Sequence, residues 1–472
     1  FRRVLFRSTT ELLLKDTVLS IFILAGILVV SRTLSRILIF IPGRLIEFDL
    51  RNNLFQHLTK LDNSFFRSEK VGDLMSRLVN DIQSLRLTTA LGFLHIVNTT
   101  MIYIFVVIQM LKIHLLLTLY ILIPIPFVLY MVRFFVKKLY THISENQKML
   151  GKITNFFVET LGSIRIVKSF VAEKPLMERF EDYNQSFLRT NIKMAAIRTS
   201  MFPFIGIIGS IGQFLLFIIG GQYIISGELS VGDFVAFSSY IVLLAWPTAS
   251  LAWIINIIQR GKVSLERINK ILNTEPKIKD SELVDPTLKI QDTPRIEIKD
   301  LNFKYNETSG PILKNINIEI PSGTSFGVFG PIGCGKSTLA QILARVEEVP
   351  DGHYFINGKD VHQWPLKEVR DTIAYVSQTP FLFSSLISEN IGFSETEPDH
   401  PRIQEDKLSD SAQKACVESD IQLFPKSYDT LIGERGVILS GGQKTRVALA
   451  RAFYKPHRLL ILDDVLSAVD HE

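Results

Sequence analysis

Cysteine is nearly absent from this chain: only Cys334 and Cys416 occur in 472 residues. Two thiols so far apart exclude a disulfide framework and a cysteine-based metal site, and they fit a reduced compartment. Long runs of one charge are also lacking. Lys and Arg number 52 against 47 Asp and Glu, a net charge of +5, and they are interspersed along the chain. That pattern excludes the basic stripe of a nucleic-acid-binding surface. The opening stretch shows neither an initiator Met nor a signal-peptide pattern. Residues 1–8, Phe1 to Ser8, resemble the in-frame translation of a sequencing adapter and are expected to be an artefact, so they are set aside.

What the chain has in excess is apolar surface. It is 47% hydrophobic with 33 Phe, its mean hydropathy is +0.23, and the excess lies in the first half, which is membrane-like. Apolar stretches run from Val18 to Ile41, Leu91 to Leu111, Leu115 to Val136, Phe202 to Ile225 and Val231 to Ile258, about five spans of bilayer-crossing length. The basic stretch from Gly43 to Arg86 and the charged helical section from Arg133 to Arg198 are then cytoplasmic by the positive-inside rule. The tip Lys112 to His114 is expected outside, and Ser226 to Ser230 reads as the short, turn-rich tip of a second hairpin. Residues 273–293 lack periodicity and read as a linker. From Ile296 the pattern changes to short strands, including Leu459 to Leu462 as a fully buried one, and an α/β domain begins.

That domain contains Gly330-Pro331-Ile332-Gly333-Cys334-Gly335-Lys336-Ser337-Thr338, which fits the phosphate-loop pattern G-x-x-x-x-G-K-[ST]. The glycines let successive backbone N–H groups converge on an anion at a helix start, Lys336 supplies a charge for the β and γ phosphates, and Ser337 offers a hydroxyl to Mg²⁺. Thr324 to Phe329 is β-prone and Leu339 to Arg345 has helical spacing, so a strand, a loop and a helix are expected in that order.

Leu439-Ser440-Gly441-Gly442-Gln443, followed by a helical run from Lys444 to Ala452, resembles the signature motif of ATP-binding cassette proteins. The resemblance extends to the rest of the domain. It implies that Tyr305 stacks on adenine, although a strand-end core tyrosine is the other reading of that residue. Gln378, within Tyr375 to Phe383, matches the glutamine that approaches Mg²⁺. Gly433 to Gly436 matches the loop ahead of the signature, Asp463 the Walker B carboxylate that serves Mg²⁺, and Leu466 to Asp470 the loop that touches the partner's site. Phe66 to Asp81 resembles the first cytoplasmic loop of an exporter, where a short helix docks on a nucleotide domain, and Glu159 to Phe170 resembles the second. The implied architecture is an all-α polytopic membrane domain of type I exporter helices over 9–272, fused to an α/β P-loop NTPase domain over 294–472. The first span of the usual set is expected to be missing, and the family's switch histidine is expected to lie downstream of Asp470, His471 being too close to be it.

The resemblance implies an ATP hydrolase coupled to transport in the bacterial cytoplasmic membrane, with ATP and Mg²⁺ as cofactors. Its partners would be the lipid bilayer, a second half-transporter and an amphipathic drug, lipid or peptide. The implied catalytic residues are Asp464, Gln378 and Lys336. ATP would be held by Tyr305, Gly330, Gly333, Cys334, Gly335, Lys336, Ser337, Thr338 and Gln378, and a partner's ATP by Ser440, Gly441, Gly442 and Gln443. Mg²⁺ would be served by Ser337, Gln378 and Asp463. One position departs from the family: Asp464 stands where hydrolytic members carry Glu. Asp is one methylene shorter, and a misplacement of about 1 Å can cost about a hundredfold in rate. A degenerate site in a heterodimer is therefore expected, against a slowly hydrolysing homodimer; a largely non-hydrolysing allosteric subunit is the alternative function. Phe202, Phe204, Gln213 and Phe214 read equally as cavity-facing residues or as helix packing.

Overall fold

The computed structural model describes residues 2–281, 284–305, 310–395, 403–433 and 439–465. Side chains are described for these outside 2–15, 125, 128, 129, 132, 136, 140, 201–209, 249 and 252. The chain forms two compact units, Phe1–Phe55 with Met75–Ile271, and Gln56–Leu74 with Leu272–Glu472.

The first unit is helical throughout, as apolar surroundings require, because only a helix satisfies its own backbone polar groups within one segment. Among the described residues, Asp16–Leu58, Val71–Ile113 and Val231–Leu272 are long and apolar enough to cross a membrane. Phe22, Leu24, Ile27 and Val30 on the first of these are exposed, the surface a lipid would cover. The expected span over 115–136 is broken at Ile123. Leu115–Leu122 ends there and Pro124–Gly162 begins, with a proline at the one position where a missing N–H costs nothing. The tip His114 joins two helices, and its Nδ1 accepts the Leu117 N–H at 3.2 Å.

The helices are joined by close packing and a few polar contacts. Val106, Met110, Leu117, Ile121, Leu216, Phe237, Ile241 and Leu244 form the buried centre. A Cβ on Gly261 would lie 2.2 Å from Thr88 Oγ1, so only glycine lets these two helices approach, and the same hydroxyl donates to the Ile257 carbonyl at 3.0 Å. Asp81, buried, accepts from Ser264 at 2.9 Å and pairs with Arg267 at 3.0 Å. Gln213 exchanges hydrogen bonds with Ser238, 3.0 Å to its carbonyl and 3.0 Å from its hydroxyl, so its amide is committed to helix packing. Phe214 is exposed, and the Phe202 and Phe204 side chains lie outside those described.

In the second unit, strands β1 (Ile296–Phe303), β2 (Leu313–Ile320), β3 (Tyr354–Ile356) and β4 (Lys359–Asp360) make an antiparallel sheet in the order β2-β1-β3-β4. Ile296 and Ile298 and, past a register shift at Asp300 with φ +46, Leu301 and Phe303 are buried, and they meet Leu339 and Ile342 of the helix Lys336–Leu343. Strands β5 (Ile373–Val376) and β6 (Leu459–Leu462) pair in parallel. Ala448 and Ala452 of the helix Gly441–Tyr454 pack on Ala374 and Val376. A helical cluster around Ile387, Leu408, Ala412, Ile421, Val447 and Tyr454 completes the unit. Residues 273–295 contain no strand or helix among those described, yet Ile278 and Ile290 are buried and the Lys277 N–H donates to Asp62 at 2.8 Å.

Two strand expectations need correction. Residues 324–329 carry no strand ladder, and Phe326, Val328 and Phe329 are exposed. Strand propensity describes fit to a pleated surface, and a partner decides whether the strand forms. For the same reason β6 is only partly buried, with Leu462 exposed at the face such a neighbour would cover.

Candidate functional site

The phosphate loop is shaped by its glycines. Gly333 at φ +82 and Gly335 at φ +98 hold left-handed conformations that a side chain would strain, and a Cβ on Gly335 would also lie 2.7 Å from Leu313 Cδ2. Gly335 caps the helix Lys336–Leu343, whose first N–H groups have no partner within the helix and face the loop. Lys336 Nζ donates to the Gly330 carbonyl at 2.8 Å and the Pro331 carbonyl at 3.0 Å, so the ammonium closes the loop over itself. Cys334 is exposed, its sulfur 3.9 Å from the same ammonium. Thr338 is buried.

At the other end of the loop two oxygen-bearing side chains meet. Ser337 Oγ donates to Asp463 Oδ1 at 2.9 Å, where β6 ends. Asp463 is buried, and its backbone N–H donates to the Val376 carbonyl of β5 at 3.0 Å. A hydroxyl and a carboxylate joined this way form two adjacent oxygen ligands suited to Mg²⁺. Tyr375 approaches the same carboxylate, and burial followed by that negative charge pushes its phenol up to about 12. The phenol therefore stays a neutral donor at physiological pH.

The next residue, Asp464, has φ +51, a region Asp tolerates better than most side chains. Its Oδ2 accepts from Gln378 Nε2 at 2.8 Å. The Gln378 segment is held from behind: Arg451 donates to the Phe381 carbonyl at 3.0 Å, to the Asn390 carbonyl at 2.7 Å and to Asn390 Oδ1 at 2.9 Å. Asn390, fully buried, in turn bonds both backbone groups of Phe383, at 2.8 and 3.0 Å. Arg451 stands on the helix that begins with the signature, so one helix carries both the signature and the support of the Gln378 loop.

Ser440 caps that helix in a reciprocal box, its Oγ accepting the Gln443 N–H at 3.2 Å while its own N–H donates to Gln443 Oε1 at 3.0 Å. The Gln443 carbonyl oxygen is thus engaged in the cap, while the Ser440 hydroxyl proton and the N–H groups of Gly441 and Gly442 open the helix as donors for an anion.

Tyr305 packs against the β1 core at Phe303, and its hydroxyl shares hydrogen bonds with Thr338 Oγ1 at 2.9 Å and Gln341 Oε1 at 3.4 Å. It is therefore both a strand-end core residue and a neighbour of the phosphate-loop helix. The short helix Asn63–Ser68 belongs to this same unit. Asn63 donates to Glu347 at 2.8 Å, and Arg67 grips both Glu347 oxygens at 2.6 Å. The helix Ile164–Ser169 occupies the second expected loop. Gly433 is described, at φ +109, whereas Glu434 to Gly436 and Leu466 to Asp470 lie outside the described residues.

Arg67, Glu347, Asn390 and Arg451 were not singled out from sequence. The signal for Arg67 was its place in the Phe66 to Asp81 stretch read as a docking loop; Glu347 and Asn390 gave none.

This arrangement of helical unit, phosphate loop and signature defines an ATP-driven membrane transporter. Residues 6–248 match the ABC transporter transmembrane region and residues 313–467 match the ABC transporter family. The chain belongs to the ABC transporter family, as an exporter half-transporter. It is 33% identical over 457 residues to the multidrug resistance-like ATP-binding protein MdlA of Buchnera aphidicola subsp. Baizongia pistaciae, covering 96% of this chain and 77% of that one. It is 32% identical over 451 residues to the MdlA protein of Escherichia coli, covering 95% and 75%. The ATP-dependent lipid A-core flippase of Syntrophus aciditrophicus is 30% identical over 436 residues, covering 92% and 71%. A bacterial Atm1-family ABC exporter solved with ATP bound shares the fold, with a TM-score of 0.77 at 22% identity, covering 94% and 77%. The chain is a multi-pass protein of the bacterial cytoplasmic membrane with its nucleotide-binding domain on the cytoplasmic side. It works as part of a dimer that couples ATP to export.

Proposed function

We propose that this chain is the weakly hydrolysing half of a heterodimeric exporter of amphipathic substrates, multidrug-type compounds foremost and lipids second. The observation that carries the reading is Asp464, one residue past Asp463, in the place of the family's glutamate and bonded to Gln378. Its carboxylate reaches less far than glutamate's toward an attacking water, so turnover at this chain's own phosphate loop is slow. The signature helix, by contrast, is fully built, with Ser440 and the Gly441 and Gly442 N–H groups in place as donors. It would complete a competent site on the partner.

In this reading Lys336, the loop backbone and Ser337 bind the triphosphate, Tyr305 receives the base, and Ser337, Asp463 and Gln378 serve Mg²⁺. Bound there, Mg²⁺ would supply charge neutralisation for the phosphates, and these side chains would orient the nucleotide. The loops around Gly72 and Gly162 carry nucleotide-domain closure to the spans. The substrate class rests on the relatives named for multidrug resistance and lipid A-core transport. Transport and ATPase assays on vesicles, with the chain expressed alone and with a second half-transporter, test the reading: substrate-stimulated activity only in the pair supports it, and full activity from this chain alone refutes it.

A further inference from the structure

The guanidinium of Arg67 lies over the Tyr305 ring, its Cζ 4.1 Å from the ring centroid. We propose that Arg67 is a positioning residue for nucleotide recognition: it holds one face of Tyr305 so that the opposite face is set for the base. This deepens the reading of Tyr305 as base platform and rests on it.

Among the described residues, further contacts fix the Tyr305 ring. Phe303 meets it edge-on at 5.1 Å and 88°. The hydroxyl end is fixed on Thr338 and Gln341 of the phosphate-loop helix. Arg67 takes a face, and it is itself a fixture: both Nη atoms donate at 2.6 Å to Glu347, whose side chain is only 4% exposed. Glu347 has a third donor in Asn63 at 2.8 Å. A bidentate pair with a buried carboxylate leaves the guanidinium plane little freedom. A guanidinium over a phenol ring adds cation–π attraction without another hydrogen bond. The base thus finds a ring whose tilt is set from behind by the helix Asn63–Ser68. By linkage, a bound base strengthens the seating of that helix, which leads directly into the membrane-spanning helix starting at Val71.

The test compares ATP with inorganic tripolyphosphate, which engages the phosphate loop but has no base, by calorimetric titration of the intact transporter without Mg²⁺. Arg67→Ala is expected to weaken ATP about three- to tenfold and to leave tripolyphosphate unchanged. In a Tyr305→Ala background, Arg67→Ala is expected to add no further loss. Arg67→Lys keeps a cation for Glu347 and so protects folding, but loses the plane; it is expected to weaken ATP in the same selective way. Equal losses for ATP and tripolyphosphate would make Arg67 a general support and overturn the proposal. So would an unchanged ATP affinity in both Arg67 variants when Tyr305→Ala weakens it. If Tyr305→Ala leaves ATP affinity unchanged, the base-platform reading itself fails and takes the proposal with it.

Discussion

Gln378 Nε2 donates to Asp464 Oδ2 at 2.8 Å, joining the glutamine of one loop to the acidic residue that follows Asp463. In the proposed reading a carboxylate engaged this way, and one methylene short of glutamate, polarises a water poorly. Asp464→Glu is therefore expected to raise ATP turnover of the assembled dimer about tenfold or more, below the hundredfold ceiling because glutamate must also accept φ +51. Phosphate release in single-turnover experiments reads this directly. A fall in turnover would show that the shorter side chain is the working base.

Lys336 meets exposed groups of its own loop, the Gly330 and Pro331 carbonyls and the Cys334 sulfur, so in the proposed reading its contribution is to the ligand more than to the fold. Lys336→Ala is expected to weaken ATP by about tenfold to a hundredfold while leaving the thermal unfolding of the nucleotide-free protein unchanged. Differential scanning with and without ATP separates the two effects.

Arg451 behaves in the opposite way. Its two bonds to Asn390 are partly buried, and removing the guanidinium takes a donor from the Asn390 carbonyl. Arg451→Ala is expected to cost about 2–4 kcal/mol in the denaturation of this unit and to loosen the Gln378 loop. Hydrogen exchange at Phe383 should accelerate.

His362 lies among carboxylates: Glu348 at 2.8 Å, Asp360 at 2.7 Å and Asp351 at 3.0 Å, with Arg345 3.4 Å from the same ring. The Glu348 hydrogen bond leads a balance that raises the imidazole above its ordinary value despite burial and Arg345. A raised folded value stabilises the charged form fully below about pH 6.5, and this contribution is lost as pH climbs through the folded value. The unfolding temperature should therefore fall between pH 6 and the mildly alkaline range, and His362→Gln should flatten that slope.

How much of this was legible follows from how local each feature is. Gly333, Gly335, Lys336 and Ser337 lie within a few residues of one another, so the loop could be read directly. Ser440 and Gln443, three apart, carry their capping box in the same local way. Arg67 and Glu347 are separated by 280 positions, and only the folded chain joins them. Pro124 was visible, yet the apolar run on both sides hid the helix break it marks. The stretch 324–329 has strand composition but no ladder partner, a matter of tertiary register that composition does not contain.

ATP hydrolysis in membranes, measured for this chain alone and then for this chain with a second half-transporter, separates the two arrangements. In a heterodimer hydrolysis is substantial only in the pair, carried by the site that this chain's signature completes and abolished when Ser440→Arg blocks it. Robust hydrolysis by this chain alone, lost on Asp464→Asn, would rule the heterodimer out and make Asp464 the base of a homodimer.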